Sequence, residues 1–367
     1  MNMAVKPASL YGLRSKLGRK AAVMIVDDSL TVRTVLSRTI EKEPDLHVVA
    51  TANTAEQALA KLDEASVDII LLDLEMPGMG GIAALPTLLE KSGGAKIMVV
   101  SALTEVGAKH TLSALSMGAV DTLLKPSSGT FDDTYRAVLV EKIRGLCDGL
   151  SQIRETGQSI AVPPPQLRKP SRKLARVVAI GGSTGGIHAL CQFLRNLPER
   201  VGVPILVTQH LPTSFVSVLA RQIELASGRT ARVAKENIQL EPDKILIAPG
   251  DSHMVITKAG EKYVASTSRE IASSGCMPSA DPMFRSVGDV FGDRGLGIVL
   301  SGMGRDGIEG AARIVEQGGT MIAQNEESSA VWGMPRVVVE AGFASAILTP
   351  EEIAREVSAK TDLAAWN

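Results

Sequence analysis

Short apolar runs that stop on a polar residue recur along the whole 367-residue chain, and this habit restricts the fold more than any other feature. In the first half, 21–26 stops at Asp27-Asp28, 67–72 at Asp73, 96–100 at Ser101 and 122–124 at Lys125-Pro126. Residues 47–50 read as a further strand. Between these runs the spacing is helical: Val32, Val35, Leu36 and Ile40 share a face, and 55–62 and 111–117 behave alike. Strands and helices alternating at this length predict a parallel sheet covered on both faces, an α/β fold. The C-terminal strand ends of such a sheet meet in one crevice, so Asp27, Asp28, Asp73, Ser101 and Lys125 are expected together. Three crowded carboxylates welcome a hard cation, and magnesium suits oxygen ligands. A lysine and a hydroxyl beside them suit the oxygens of a phosphoryl group.

The second half repeats the pattern. Residues 177–180 form an apolar run that stops at Gly181-Gly182-Ser183-Thr184-Gly185-Gly186, and 187–194 continues with helical spacing. Gly181-x-Ser183-x-Gly185 fits a nucleophile elbow, in which glycines permit a tight strand-to-helix turn that lifts a serine out of the sheet. Taken alone, the turn fits a phosphate- or nucleotide-binding link equally well. The dinucleotide fingerprint fails because Ser183 stands where its second glycine belongs, and no Gly-Lys-Ser/Thr follows. Residues 203–209 predict a strand ending at His210, and 297–301 a strand running into Gly302-Met303-Gly304-Arg305-Asp306-Gly307. A hairpin is expected with its tip at 258–261, further strands at 244–248 and 319–324, and helices starting near Thr213 and over 310–316 and 351–357.

Ser183, His210 and Asp306 thus each follow a different strand of what reads as one parallel sheet. Strand polarity allows them to meet at one rim; the order of the strands is not readable. A histidine that takes the serine proton and a carboxylate that fixes the ring complete a hydrolytic triad. The chain order Ser, His, Asp matches none of the three common serine-hydrolase orders. Among competitors, His188 lies in the helix after the turn, which carries it away. His253 precedes the hairpin and is a minor cleft candidate, and Asp251 is a candidate substrate-contacting loop residue. Asp281 follows a glycine-containing loop, as Asp306 does, but only Asp306 lies directly behind a buried strand. His47 and His110 belong to the first half.

Composition limits the remaining classes. A formal net charge of −1 gives no global field toward nucleic acid or acidic membrane. The second half is too long for a small helical DNA reader and has no basic recognition helix. Three cysteines, Cys147, Cys191 and Cys276, are an odd and sparse set without metal-ligand spacing; they argue against a disulfide framework and for a reducing compartment. No apolar run is long enough to span a bilayer. Residues 1–20 are basic without a continuous apolar core, so a flexible lead-in to a cytoplasmic chain is expected rather than a signal peptide. Residues 148–173, with Pro163-Pro164-Pro165 and basic flanks, read as a linker. It separates a first domain over 21–147 from a second over 174–367.

With these residues in view, the first domain resembles a response-regulator receiver domain, which implies a flavodoxin-like fold. The resemblance implies Asp73 as phosphoacceptor and Mg2+ held by Asp28, Asp73 and the backbone carbonyl of Glu75, with Asp27 behind them. Ser101 and Lys125 would contact the phosphoryl group. The family often has an aromatic residue where Thr122 stands, which leaves the route of signal transmission open. The second domain resembles the catalytic domain of the chemotaxis-receptor protein-glutamate methylesterase, a doubly wound, mainly parallel α/β unit. The resemblance rests on 180–186, Gln209-His210, Ala248-Pro249-Gly250-Asp251, 300–307 and Val331-Trp332-Gly333-Met334-Pro335. It implies Ser183 as nucleophile, His210 as general base, Asp306 as the orienting acid, and Thr184 and Met303 as support for His210 or as oxyanion donors. No cofactor is expected for this domain. Family members commonly carry alanine where Gly182 stands. The implied activity is demethylation of glutamate methyl esters, and deamidation of selected glutamines, on methyl-accepting chemotaxis receptors, switched on by a chemotaxis histidine kinase. The alternative is a receiver joined to a non-catalytic output that uses the Ser183 turn for a phosphate or nucleotide.

Overall fold

Two parallel sheets organise the chain. The computed structural model describes residues 19–101, 104–125, 132–154, 165–364 and 366. The expected lead-in up to residue 18, Pro126 and residues 155–164 of the expected linker lie outside these.

The first sheet holds β1 (Ala21–Val26), β2 (Leu46–Ala52), β3 (Ile69–Asp73), β4 (Lys96–Ser101) and β5 (Asp121–Leu124). Between and after them come α1 (Leu30–Ile40), α2 (Ala55–Leu62), α3 (Gly80–Lys91), α4 (Glu105–Met117) and α5 (Asp133–Arg154). The strand order β2-β1-β3-β4-β5 is that of a flavodoxin-like sheet. β1 and β3 are buried at every position, which is why they read as unbroken apolar runs. Ser29, Thr54 and Thr104 start α1, α2 and α4 by accepting hydrogen bonds from Val32, Gln57 and Gly107 N–H. Helix α5 continues to Arg154, past Asp148, where the linker was expected to begin.

The second region contains β6 (Val177–Gly182), β7 (Ile205–Gln209), β8 (Ala231–Val233), β9 (Ile238–Gln239), β10 (Ile245–Ile247), β11 (His253–Ala259), β12 (Lys262–Ser268), β13 (Gly295–Val299), β14 (Thr320–Gln324) and β15 (Ala346–Leu348). Its helices are α6 (Gly186–Asn196), α7 (Thr213–Ser227), α8 (Ala280–Phe291), α9 (Ile308–Glu316), α10 (Met334–Glu340) and α11 (Pro350–Lys360). Seven strands form the sheet β15-β14-β13-β6-β7-β10-β8, and β11 and β12 make the expected hairpin, joined by β9. From β6 the chain winds outward through β7, then returns to β13 on the other side of β6. The reversal of direction between β6 and β13 is where a doubly wound sheet opens a binding crevice.

The two regions share an apolar seam. Helix α4 lies against α6 and α7, and Leu112, Leu115 and Ala119 belong to one buried cluster with Ile187, Phe215 and Leu219. Polar contacts rim it: His188 Nδ1 pairs with the Ser116 carbonyl at 2.9 Å, and Gln222 Nε2 donates to Ser116 Oγ at 3.0 Å. His188 is therefore an interface residue, away from the crevice, as its place in the helix predicts. Among the described residues no helix is long and apolar enough to cross a membrane.

Candidate active site

Three neighbouring strands, β13-β6-β7, deliver the three candidate side chains. Asp306 follows β13, Ser183 follows β6 and His210 follows β7. The Ser183 turn is fixed by its backbone: Ser183 N–H donates to the Ser301 carbonyl at 3.0 Å, and its own carbonyl accepts from Gln209 Nε2 and Gly186 N–H, both at 2.8 Å. Gly185 has φ +76°, and a Cβ there would sit 2.4 Å from that of Ala330, so both conformation and space demand glycine. On the facing loop, a Cβ at Gly302 would lie 2.9 Å from Ser183 Cβ and 2.3 Å from Met334 Sδ. The glycine-rich loop after β13 is thus needed for close approach to the serine.

His210 N–H donates to the Gly182 carbonyl at 3.1 Å, tying the histidine to the serine turn. Its ring Nε2 meets Asp306 Oδ2 at 2.7 Å. With an acceptor-only carboxylate there, Nε2 carries the proton and the neutral ring leaves Nδ1 as the base. Asp306 is only 1% exposed and fully engaged: Oδ2 also accepts from Ala280 N–H at 2.7 Å, and Oδ1 accepts from Ser279 Oγ at 2.5 Å. Burial opposes both charges, lowering the imidazole and raising the carboxyl. The direct bond overrides it, pushing His210 up to about 9 and holding Asp306 far below the ordinary carboxylate range. The Cys276 side chain also favours the charged imidazole.

Ser183 and His210 line one cavity of about 430 Å³, together with Cys276 and Met303. Residues of β5 and α5, including Asp121, Thr122 and Lys142, form its other wall. Thr184 Oγ1 donates to Asp121 Oδ2 at 2.9 Å, and Lys142 pairs with the same carboxylate at 2.8 Å. The Thr184 hydroxyl therefore faces the first region and not His210. Gly185 N–H, at the start of α6, is occupied by the Val120 carbonyl at 2.6 Å. Met303 packs on the first region's core.

The competitors fall elsewhere. His253 is fully buried; Nδ1 accepts from Ser279 N–H at 2.8 Å and Nε2 donates to the Glu270 carbonyl at 2.7 Å. It braces the start of α8 instead of lining the cleft. Asp251 pairs with Arg269 at 2.8 Å in solvent. Asp281 lies within α8 and accepts from Gly310 N–H at 2.8 Å, its carboxyl pushed up to about 6 by burial and, less strongly, by the charge of Asp306. The sequence reading missed Ser279 and Ala280, the N-cap and first residue of α8, which hold Asp306. The available signal was a serine N-cap one residue ahead of Ala280-Asp281.

The first crevice also assembles as expected. Oxygens of Asp27, Asp28 and Asp73 lie within 4.8 Å of one another. Lys125 Nζ is 2.6 Å from Asp73 Oδ2 and 3.0 Å from Asp27 Oδ2. The latter contact is an ion pair without hydrogen-bond alignment, and Ser101 Oγ is separately buried without a hydrogen-bond partner. Burial raises the Asp73 carboxyl despite Lys125. A buried hydroxyl without a partner and a carboxylate oxygen held only by an ion pair, beside an oxygen-only donor set, fit an incoming phosphoryl group and a hard cation.

Comparison with known proteins matches both regions of the chain. The CheB methylesterase family matches residues 178–357, and the response regulator receiver domain family matches residues 23–131. A protein-glutamate methylesterase/protein-glutamine glutaminase 1 of Paramagnetospirillum magneticum is 39% identical over 363 residues, covering 90% of this chain and 94% of the relative. The chain belongs to this family. A second member, from Caulobacter vibrioides, is 42% identical over 346 residues, covering 92% of this chain and 98% of the relative. The solved catalytic domain of Thermotoga maritima CheB methylesterase aligns with 31% identity and a TM-score of 0.49, over 50% of this chain and 98% of that domain. Within this methylesterase, a Cβ at Gly182 would meet Gln209 Oε1 at 3.0 Å, so alanine fits there only if Gln209 yields slightly. Thr122 turns toward the cavity between receiver and catalytic region, its hydroxyl buried without a partner.

Proposed function

We propose that Ser183, His210 and Asp306 are the catalytic residues of this methylesterase. Ser183 attacks the γ-carbonyl of a methylated glutamyl side chain on a chemotaxis receptor. His210 takes its proton and returns it to the departing methanol, and water then releases glutamate by the reverse path. Deamidation of a receptor glutamine follows the same course with ammonia leaving. Asp306, anchored by Ser279 and Ala280, holds the imidazole orientation and stabilises its charged form. Backbone amides at the start of α6, with support from Thr184 and Met303, stabilise the oxyanion. The observation that carries this reading is the His210–Asp306 bond of 2.7 Å on strands flanking the one that bears Ser183. The test is methanol release from methylated receptor membranes. Ser183→Ala should lower it by a factor of about 10⁴ or more; a variant that keeps most of the rate removes Ser183 from the chemistry.

Regulation follows from the seam. Val120 occupies an elbow amide, and Asp121 holds Thr184, so in this reading the docked receiver closes the crevice and withdraws a donor from the oxyanion. Asp73 is the phosphoacceptor, supplied by a chemotaxis histidine kinase, and Ser101 and Lys125 hold the phosphoryl oxygens. Asp28, Asp73 and the Glu75 carbonyl would hold Mg2+, with Asp27 behind them; the ion supplies charge neutralisation to phosphoryl transfer. The units are the receiver, 21–147 extended by α5 to Arg154, and the catalytic region, 174–367, working in the cytoplasm on the receptors' inner portions. Asp73→Ala should keep the basal rate and lose stimulation by a small phosphodonor; stimulation that survives would place the phosphoryl group elsewhere.

A further inference from the structure

One side chain at the catalytic crevice has no part in the hydrolytic scheme. Cys276 is half-buried in the loop between β12 and α8, held by its N–H on Ser274 Oγ at 3.3 Å. Its sulfur, a ring nitrogen of His210 and a carboxylate oxygen of Asp306 lie within 4.8 Å of one another. Cys276 also lines a second hollow of about 670 Å³, together with Met303 and Asp306, whose walls come only from the catalytic region. The cluster is therefore open to small ions by a route that the docked receiver does not form.

We infer that His210, Cys276 and Asp306 form a binding site for a zinc-class divalent cation, and that its occupancy turns the esterase off. The donor set is one nitrogen, one sulfur and one oxygen, which suits zinc with water in a fourth position. Tetrahedral zinc needs these donors roughly 3.3–3.7 Å apart, within small side-chain adjustments of the observed cluster. Asp306 is already oriented by Ser279 and Ala280. Binding to the neutral ring would put the metal on Nε2 in place of its proton, which moves to Nδ1, and would release the Cys276 thiol proton to solvent. The sulfur selects against magnesium, which prefers the all-carboxylate crevice of the receiver. A metal on His210 takes the imidazole out of proton transfer, so one thiophilic ion competes directly with turnover.

The test uses the full-length chain, stripped with chelator and kept in excess Mg2+ so that the receiver carboxylates are filled. Cobalt(II) serves as the spectroscopic probe. A thiolate-to-cobalt charge-transfer band with the visible bands of four-coordinate cobalt, saturating at one equivalent, is the expected result. Cys276→Ser should lose the thiolate band, and His210→Ala should weaken cobalt binding by about tenfold or more. In methanol release, stoichiometric zinc should lower the rate by at least about tenfold, reversibly with chelator. Cys276→Ser, compared with its own zinc-free rate, should need at least about tenfold more zinc. Absence of the thiolate band, a band that survives in Cys276→Ser, or a wild-type rate indifferent to zinc each overturns the inference. The cobalt spectrum reads the site without reference to turnover, so a failure of the esterase reading is distinguishable from a failure of this one.

Discussion

The two crevices of this chain are built alike and satisfied differently. Each lies at the C-terminal ends of a parallel sheet and gathers polar side chains from separate strands. In the receiver, two of three clustered carboxylates share one lysine, and Asp27 Oδ2 and Ser101 Oγ are left without hydrogen-bond partners. In the catalytic region, the single carboxylate of Asp306 receives three hydrogen bonds. An under-satisfied crevice is ready for ligands that arrive and leave. A saturated one holds a permanent charge still, so that only the substrate and the proton have to move.

The contrast can be broken most severely at Asp306. Asp306→Asn should reduce methanol release by about 10⁴-fold, since the amide can no longer stabilise the imidazolium. The same change should flatten the pH dependence of stability. His210 is raised from 6.5 to about 9 in the folded chain, so its contribution is complete below about pH 6.5 and lost as pH rises through 9. At about 1.4 kcal/mol per unit, the loss is of order 3–4 kcal/mol, counted once for the pair. Denaturant titrations at pH 6 and 9.5 measure it; equal slopes with pH in wild type and variant would mean that the pair does not set the histidine.

A milder pair of substitutions sharpens the comparison. Ser279→Ala removes a donor from a buried carboxylate and should cost about 1–3 kcal/mol of stability. Asp28→Asn removes a charge from a crowded set and should, without metal, be neutral or stabilising by up to about 1 kcal/mol. If both destabilise equally, the receiver carboxylates are not in excess. The smallest effect is expected at the seam. Asp121→Ala breaks the bond to Thr184, worth about 0.5–1.5 kcal/mol, and should raise the basal rate a few-fold; an unchanged rate argues that this bond does not hold the crevice shut.

Much of this is legible in the sequence alone. Helix α2 spans the predicted residues, and Asp27, Asp28, Asp73 and Lys125 converge, because buried parallel strands leave unmistakable apolar runs. Ser183, His210 and Asp306 are legible as strand-end residues for the same reason. What the sequence hid was adjacency: nothing local says that β13 and β7 flank β6. It also hid α8, because Met277-Pro278-Ser279 and Pro282 resemble turn signals, and with α8 went the residues that orient Asp306. Cys276 escaped because its partners, His210 and Asp306, are far away along the chain; spacing rules for metal ligands see only local clusters.

The apolar seam between α4 and the helices α6 and α7 sets the economy of the switch. Parting it would wet side chains such as Leu112, Leu115 and Phe215, each favouring closure by roughly 1.5–3 kcal/mol if fully exposed. A resting population would then be almost entirely shut, and the background turnover of the unstimulated enzyme would act as a gauge of how often that greasy joint breathes.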